Sequence, residues 1–212
     1  MIDLFEHILH LDFKWLFSNY GTSVYLILFL VIFIETGLVL MPFLPGDSLL
    51  FTAGLFAHLG FLNMSYLILL LFSAAVLGDN INYWIGRKIG LRMLKIQFKG
   101  KNIVKQEYLD KTHVFFEKYG AKAIIMARFV PIVRTFSPFV AGIAEMSYRK
   151  FLSFDILGGA IWILSLTFAG YFLGGFEWIR KNIELVALGI IFISVLPIII
   201  EIAKAKFSKG KI

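Results

Sequence analysis

The 212-residue sequence specifies an all-α polytopic membrane protein, an inverted repeat with two re-entrant helical hairpins, transmembrane helices and amphipathic interfacial helices. Hydrophobic residues make up 59% and charged residues 17%, with a mean hydropathy of +0.82. Soluble domains run nearer half apolar and a quarter charged. Uncharged runs at 15–34, 48–78, 156–176 and 185–200 reach or approach the roughly 20 residues that cross a hydrocarbon core. Lipid forces backbone groups to bond internally, and the strand alternation of a membrane barrel is not visible, so the spanning elements are helices.

The repeat rests on matched short motifs in one order. Tyr20-Gly21 opens one apolar region and Tyr119-Gly120 another; Ala53-Gly54 is matched by Ala141-Gly142, and Met64-Ser65-Tyr66 by Met146-Ser147-Tyr148. A long apolar segment follows each of the latter, ending Tyr83-Trp84-Ile85-Gly86 and Tyr171-Phe172-Leu173-Gly174. One long helix ends at a basic loop and its counterpart starts near Arg149-Lys150 on the same side, so the halves are expected to be inverted. Inverted repeats with interrupted helices are a transporter architecture whose site lies near the bilayer midplane.

Elements are expected in the following order. Residues 1–19 form an amphipathic interfacial helix, with Leu4, Ile8, Leu11 and Trp15 at helical spacing and no signal for a cleaved leader. The first repeat, 20–86, holds a re-entrant hairpin at 20–61 and a span at 64–86. A basic cytoplasmic loop follows at 87–118, with an amphipathic helix around 104–118. The second repeat, 119–175, holds a hairpin at 119–145 and a span at 151–174. A last span at 183–203 and a basic tail at 204–212 complete a single membrane domain. Trp15, Trp84 and Trp178 fall at span ends, as interfacial anchors do.

Each hairpin carries a break that would be costly in a plain span. The stretch 33–50, FIETGLVLMPFLPGDSLL, places Glu35, Pro42, Pro45, Gly46 and Asp47 in an apolar setting. A carboxylate at the bilayer centre costs about 2.5–3.5 kcal/mol and a helix-interior proline about 3 kcal/mol. Asp47 and Ser48 are expected to cap a new helix running to about Phe61. The counterpart, ARFVPIVRTFSPFVAG at 127–142, has Arg128 and Arg134 flanking Pro131, and Ser137-Pro138 reads as an N-cap with proline at the first helical position.

Charge orients the chain. Residues 87–122 hold ten Lys/Arg against Glu107, Asp110 and Glu117, and 204–212 add four lysines and no acid, whereas 1–14 carry three acids against Lys14. By the positive-inside rule the 87–118 loop and the C-terminus are cytoplasmic. Membrane orientation accounts for the net charge of +7 without nucleic acid. With no cysteine, disulfides, thiol catalysis and Cys-based zinc sites are excluded. His7 and His10 read as the polar face of the N-terminal helix, and no metal or cofactor is expected.

Glu35, Asp47, Arg128 and Arg134 therefore form the candidate site. Buried arginine suits phosphate through bidentate forks, and helix N-termini favour anions. The competing use of these charges is structural, as caps and internal salt bridges. Asp79 reads equally as a functional acid and as a structural partner of Arg87. Gly158-Gly159 and the Gly170/Gly174 pair read as close-packing positions.

These motifs carry a family resemblance. Glu35 and Asp47, the latter in Pro45-Gly46-Asp47, the signature ARFVPIVR, the following Ala141-Gly142, then GGAIW and GYFLG, resemble the DedA family, also called the SNARE-associated or VTT-domain family. Gly78-Asp79, Tyr83 and Gly86-Arg87 resemble its helix-end motif, and Ala127 stands where the family often has glycine or serine. The resemblance covers about Tyr20 to Gly175. It implies two inverted re-entrant hairpins, essential acids at Glu35 and Asp47, and essential arginines at Arg128 and Arg134.

It also implies lipid movement across the bacterial cell (inner) membrane: return of undecaprenyl phosphate or a related phospholipid between leaflets, flippase- or scramblase-like, dependent on proton motive force and supporting envelope homeostasis. The expected partners are a polyprenyl phosphate or phospholipid head group and protons, with movement coupled to Glu35 or Asp47. Pro45, Gly46, Pro131, Ser137, Asp79 and Arg87 are secondary candidates. A proton-coupled small-ion transporter is the alternative, and a lipid phosphatase a weaker one, because no Ser/His or Asp-rich phosphoryl-transfer set is present. The chain is expected not to be an enzyme.

Overall fold

The computed structural model describes residues 13–38, 46–93, 97–98, 101–102, 106–182, 185, 186 and 189. The expected N-terminal helix before Phe13, Pro42 and Pro45, the last span at 183–203 and the basic tail lie wholly or largely outside them. In order come α1 (Phe13–Gly37), α2 (Gly46–His58), α3 (Met64–Met93), the two-residue strands β1 (Gln97–Phe98) and β2 (Lys101–Asn102), α4 (Gln106–Tyr119), a 3₁₀ turn (Gly120–Lys122), α5 (Ala123–Ala127), α6 (Pro131–Ile143), α7 (Tyr148–Leu173) and α8 (Glu177–Lys181). The strands pair antiparallel, Gln97 with Asn102 and Phe98 with Lys101. Among the described residues, three helices are long and apolar enough to cross a membrane: Asn19–Gly37, Met64–Gly90 and Tyr148–Leu173.

The spans at 64–86 and 151–174 and the amphipathic helix at 104–118 are thus found within a few residues. The expected boundary at 19/20 is not: α1 runs through Tyr20-Gly21 without interruption, because nothing in that stretch removes a backbone donor. Asn63 caps α3, its Oδ1 accepting from the N–H groups of Ser65 and Tyr66 at 3.0 and 3.1 Å.

The described residues fall into two compact units. The first draws on 1–28, 45–68 and 165–212; the second on 29–44 and 69–164. Within the first, α2 crosses α7 at glycine: a Cβ on Gly54 would lie 2.0 Å from Thr167 O, and one on Gly170 would lie 1.9 Å from Phe51 O. Within the second, α6 crosses α3 the same way. A Cβ on Gly142 would lie 2.2 Å from Tyr83 O, and one on Gly86 the same distance from Phe139 O. Lipid supplies no hydrophobic drive between helices, so backbone approach through glycine is what holds such crossings.

The two crossing helices also end alike. In α2 the N–H of Phe61 bonds Phe56 O and that of Gly60 bonds Ala57 O; in α6 Met146 bonds Ala141 O and Glu145 bonds Gly142 O. Each is a Schellman closure through a left-handed residue, Gly60 at φ 83° and Glu145 at φ 54°. The core of the second unit forms around Tyr83, Ile124, Ala141 and Phe151, with Phe116 of α4 against it. Tyr83 stacks on Phe151 at 4.4 Å, and its hydroxyl donates to Met146 O.

Gly142→Ala is expected to lower the thermal stability of the detergent-solubilised protein, by about 1–3 kcal/mol of overpacking. Gly21→Ala, where nothing lies within 4 Å, is expected to leave stability level or raise it by up to about 1 kcal/mol. Glu145→Gly should stabilise by about 1 kcal/mol, since glycine alone carries no steric penalty at positive φ. Melting curves followed by size-exclusion check all three.

Candidate functional site

All five charged side chains of the site lie in the second unit, between 0 and 4% exposed: Glu35, Asp79, Arg128, Arg134 and Asp155. Glu35 comes from the last turn of α1. That turn is brought to α3 at a Gly37–Gly78 approach, where a Cβ on Gly37 would be 3.3 Å from Gly78 Cα, and one on Gly78 would strike Thr36 Oγ1. Arg134 sits one turn into α6, and its Nη2 donates to Glu35 Oε1 at 2.5 Å.

Arg128 stands in the break between α5 and α6. There the N–H groups of Arg128, Phe129 and Val130 bond the carbonyls of Ile125, Met126 and Ala127, three residues back. Helix resumes at Pro131, for which the extended Val130 is the N-cap. Proline suits that position because its missing donor is not needed in a first turn. The sequence-based N-cap at Ser137 is therefore corrected: Ser137 and Pro138 lie inside α6, which starts six residues earlier, at Pro131.

Pro138 removes a donor within α6, and the adjacent turn is satisfied from outside. Asn82 of α3 donates through Nδ2 to Thr135 O at 2.8 Å and to Thr36 O at 3.1 Å. One buried amide thus joins α3 to α6 and to the open C-terminal end of α1.

Arg128 Nη2 contacts Asp79 Oδ2 and donates to Asp155 Oδ1 at 2.5 Å. Two carboxylates, one from α3 and one from α7, thus share one guanidinium nitrogen. Two like charges about 4 Å apart repel by roughly 4 kcal/mol at an effective dielectric of 20, so the guanidinium between them is a condition of their burial. Gly158 and Gly159 make room: missing Cβ atoms there would sit 3.5 Å from Arg128 Cγ and 3.5 Å from its Nη2. The expectation of close-packing glycines is met at Gly158, where a Cβ would lie 3.1 Å from Ile125 Cα of α5.

Trp162 of α7 lies against both cations. Its ring centroid is 4.6 Å from Arg134 Cζ and 5.7 Å from Arg128 Cζ. The negative face of the indole is a favourable surface for buried guanidinium.

The remaining candidates have their own local settings. Asp47, half-buried in the first turn of α2, belongs to the first unit, where a carboxylate complements the open N–H groups of a helix start. Gly46 opens the same helix. Arg87 does not pair with Asp79. It donates to Tyr83 Oη at 2.8 Å and to Met146 O at 3.1 Å, because eight residues along a helix separate it from Asp79 by about 12 Å. Asp155, Asn82 and Trp162 were not singled out from sequence. The signal for Asp155 was present, since a lone acid within a spanning segment is functional by default.

Arg128→Ala is expected to destabilise the protein by about 3–5 kcal/mol, because it leaves two buried carboxylates facing each other. Lys181→Ala breaks a 2.8 Å pair with Glu177 whose side chains are both 71% exposed, and should change stability by less than about 0.5 kcal/mol. Chemical unfolding in one detergent compares them.

The VTT domain family model matches residues 44–172. The chain is 50% identical over 209 residues to Protein DedA of Escherichia coli (strain K12), covering 96% of this chain and 94% of the relative. It is 49% identical over 170 residues to an uncharacterized membrane protein of Mycobacterium leprae (strain TN), covering 80% and 75%. It is 36% identical over 150 residues to the inner membrane protein YqjA of Escherichia coli (strain K12), covering 71% and 67%. No solved structure matches. A dry cluster of five charges on apolar helices is thus the interior of a membrane protein that belongs to the DedA family, the family of the VTT domain.

Proposed function

We propose that the protein is a non-enzymatic lipid translocase of the bacterial inner membrane that moves undecaprenyl phosphate or a related phospholipid between leaflets, coupled to protons, in support of envelope homeostasis. The observation that carries this reading is Arg128 Nη1: it is buried without a hydrogen-bond partner, while Nη2 of the same guanidinium is engaged. A buried donor left over on a fixed cation is a place for an anionic oxygen. Arg134, against the same indole ring, is the second cation for a head group, and the lipid tail stays in hydrocarbon.

Several features support the accompanying architecture. The break at 128–130 is read as the turn of a re-entrant hairpin over 119–145. The matched glycine crossings and Schellman closures are what a duplicated, inverted unit would leave behind. Irregular backbone at membrane depth is tolerated where protein or a watery cavity surrounds it. The basic 87–118 loop and the C-terminus then face the cytoplasm.

Proteoliposomes carrying labelled polyprenyl phosphate test the assignment. Arg134→Ala should reduce translocation at least tenfold. Glu35→Gln/Arg134→Gln, which removes both charges and keeps the interior neutral, should fold normally and be equally inactive. Full translocation by the folded double variant overturns the role of Arg134. Phosphate release by the wild type would favour the phosphatase reading, and solute uptake without lipid movement the ion-transporter reading.

A further inference from the structure

We propose that Asp79 and Asp155 together form a proton-binding site, one proton shared by the pair on Arg128, and that this proton accompanies the bound anion. The geometry supplies the argument. Both carboxylates reach the same nitrogen of Arg128, so one positive charge lies between two negative ones. Among the described residues, the other buried charges on the surrounding elements are Glu35 of α1 and Arg134 of α6, which pair with each other at 2.5 Å. With all five ionised the cluster carries one surplus negative charge, in a site where no member is more than 4% exposed. Surplus charge in such a setting is neutralised by a bound ion or a proton.

A metal cation does not suit the place. A guanidinium already occupies the position between the carboxylates, and among the described residues no group of three or more His, Asp or Glu is arranged to hold a metal. A proton needs only an oxygen. Asp155 Oδ2 is buried and has no hydrogen-bond partner, so protonation there breaks none of the contacts to Arg128.

The site then links proton to anion. Without the proton, an anion at Arg128 Nη1 joins a cluster that is already negative; with it, the cluster is neutral. Each ligand must strengthen binding of the other by the same factor. This second part rests on the lipid-phosphate reading, whereas the proton site itself does not.

Two measurements on the full chain in nanodiscs test the parts separately. Infrared pH titration should show a carboxylic-acid C=O band that shifts on aspartate-specific ¹³C labelling and disappears as pH rises. The band should be absent in Asp79→Asn and in Asp155→Asn, and retained in Glu35→Gln. No label-sensitive band in the wild type, or a band that survives both asparagine variants, overturns the proton site.

Binding of dihexyl phosphate, a diester whose own charge does not change near neutrality, gives the second readout. Affinity should rise by up to about tenfold per unit fall in pH and become independent of pH in Asp155→Asn. Binding without pH dependence overturns the linkage. An aspartate band with no phosphate binding leaves the proton site standing and removes the lipid-phosphate reading.

Discussion

Arg128 held between Asp79 and Asp155 is the constraint on which the second unit depends. A guanidinium cannot be left alone in a dry interior, and neither can two carboxylates. Satisfying all three brings α3, α7 and the break before α6 to one point. Other features follow from that requirement. Gly158 lets α7 approach Ile125 closely beside Arg128, the chain leaves helix at 128–130 and resumes at Pro131, and Trp162 lies against both guanidiniums.

Apolar packing alone would not make this arrangement unique, because one greasy helix slides past another in lipid at little cost. The glycine crossings supply the register. Gly86 and Gly142 each admit a carbonyl of the opposing helix, and Gly54 and Gly170 do the same in the first unit. A shift of either helix by one residue would bring a Cβ against that carbonyl. Register and charge pairing therefore reinforce each other in the second unit: the crossing that seats Gly86 on α6 also puts Asn82, one turn earlier, within reach of Thr135 O.

Much of this was legible because membrane burial makes charges and helix breakers conspicuous. Glu35 and Arg134 were expected to meet on the ground that neither is tolerable alone, and they do. The matched Ala-Gly and YWIG/YFLG motifs marked the helices that cross at glycine. What stayed hidden were Asp155, despite its place in the expected span at 151–174, and partners whose local sequence carries no anomaly. Asp155 lies a few residues past the basic pair Arg149-Lys150, where an acid reads as interfacial. Asn82 and Trp162 are ordinary residues of apolar helices until a carbonyl or a cation faces them. The Ser137-Pro138 reading failed for a related reason: a helix-interior proline is disfavoured by local rules, whereas the start of α6 is set by the break at 128–130 and the proline at 131.

The asymmetry between the two arginines bears on how such a cluster can take part in transport. Arg134 pairs with Glu35, and Arg128 touches both Asp79 and Asp155, so the site is not a bare cationic pocket. An anion entering it adds negative charge to a group that is already negative when fully ionised, in a buried site where charge is weakly screened. The anion must therefore either displace a carboxylate, which leaves that carboxylate buried without its cation, or arrive with a positive charge of its own. In a site of this composition, a proton taken up with the anion, as proposed above, would offset the added charge, whatever that anion is attached to.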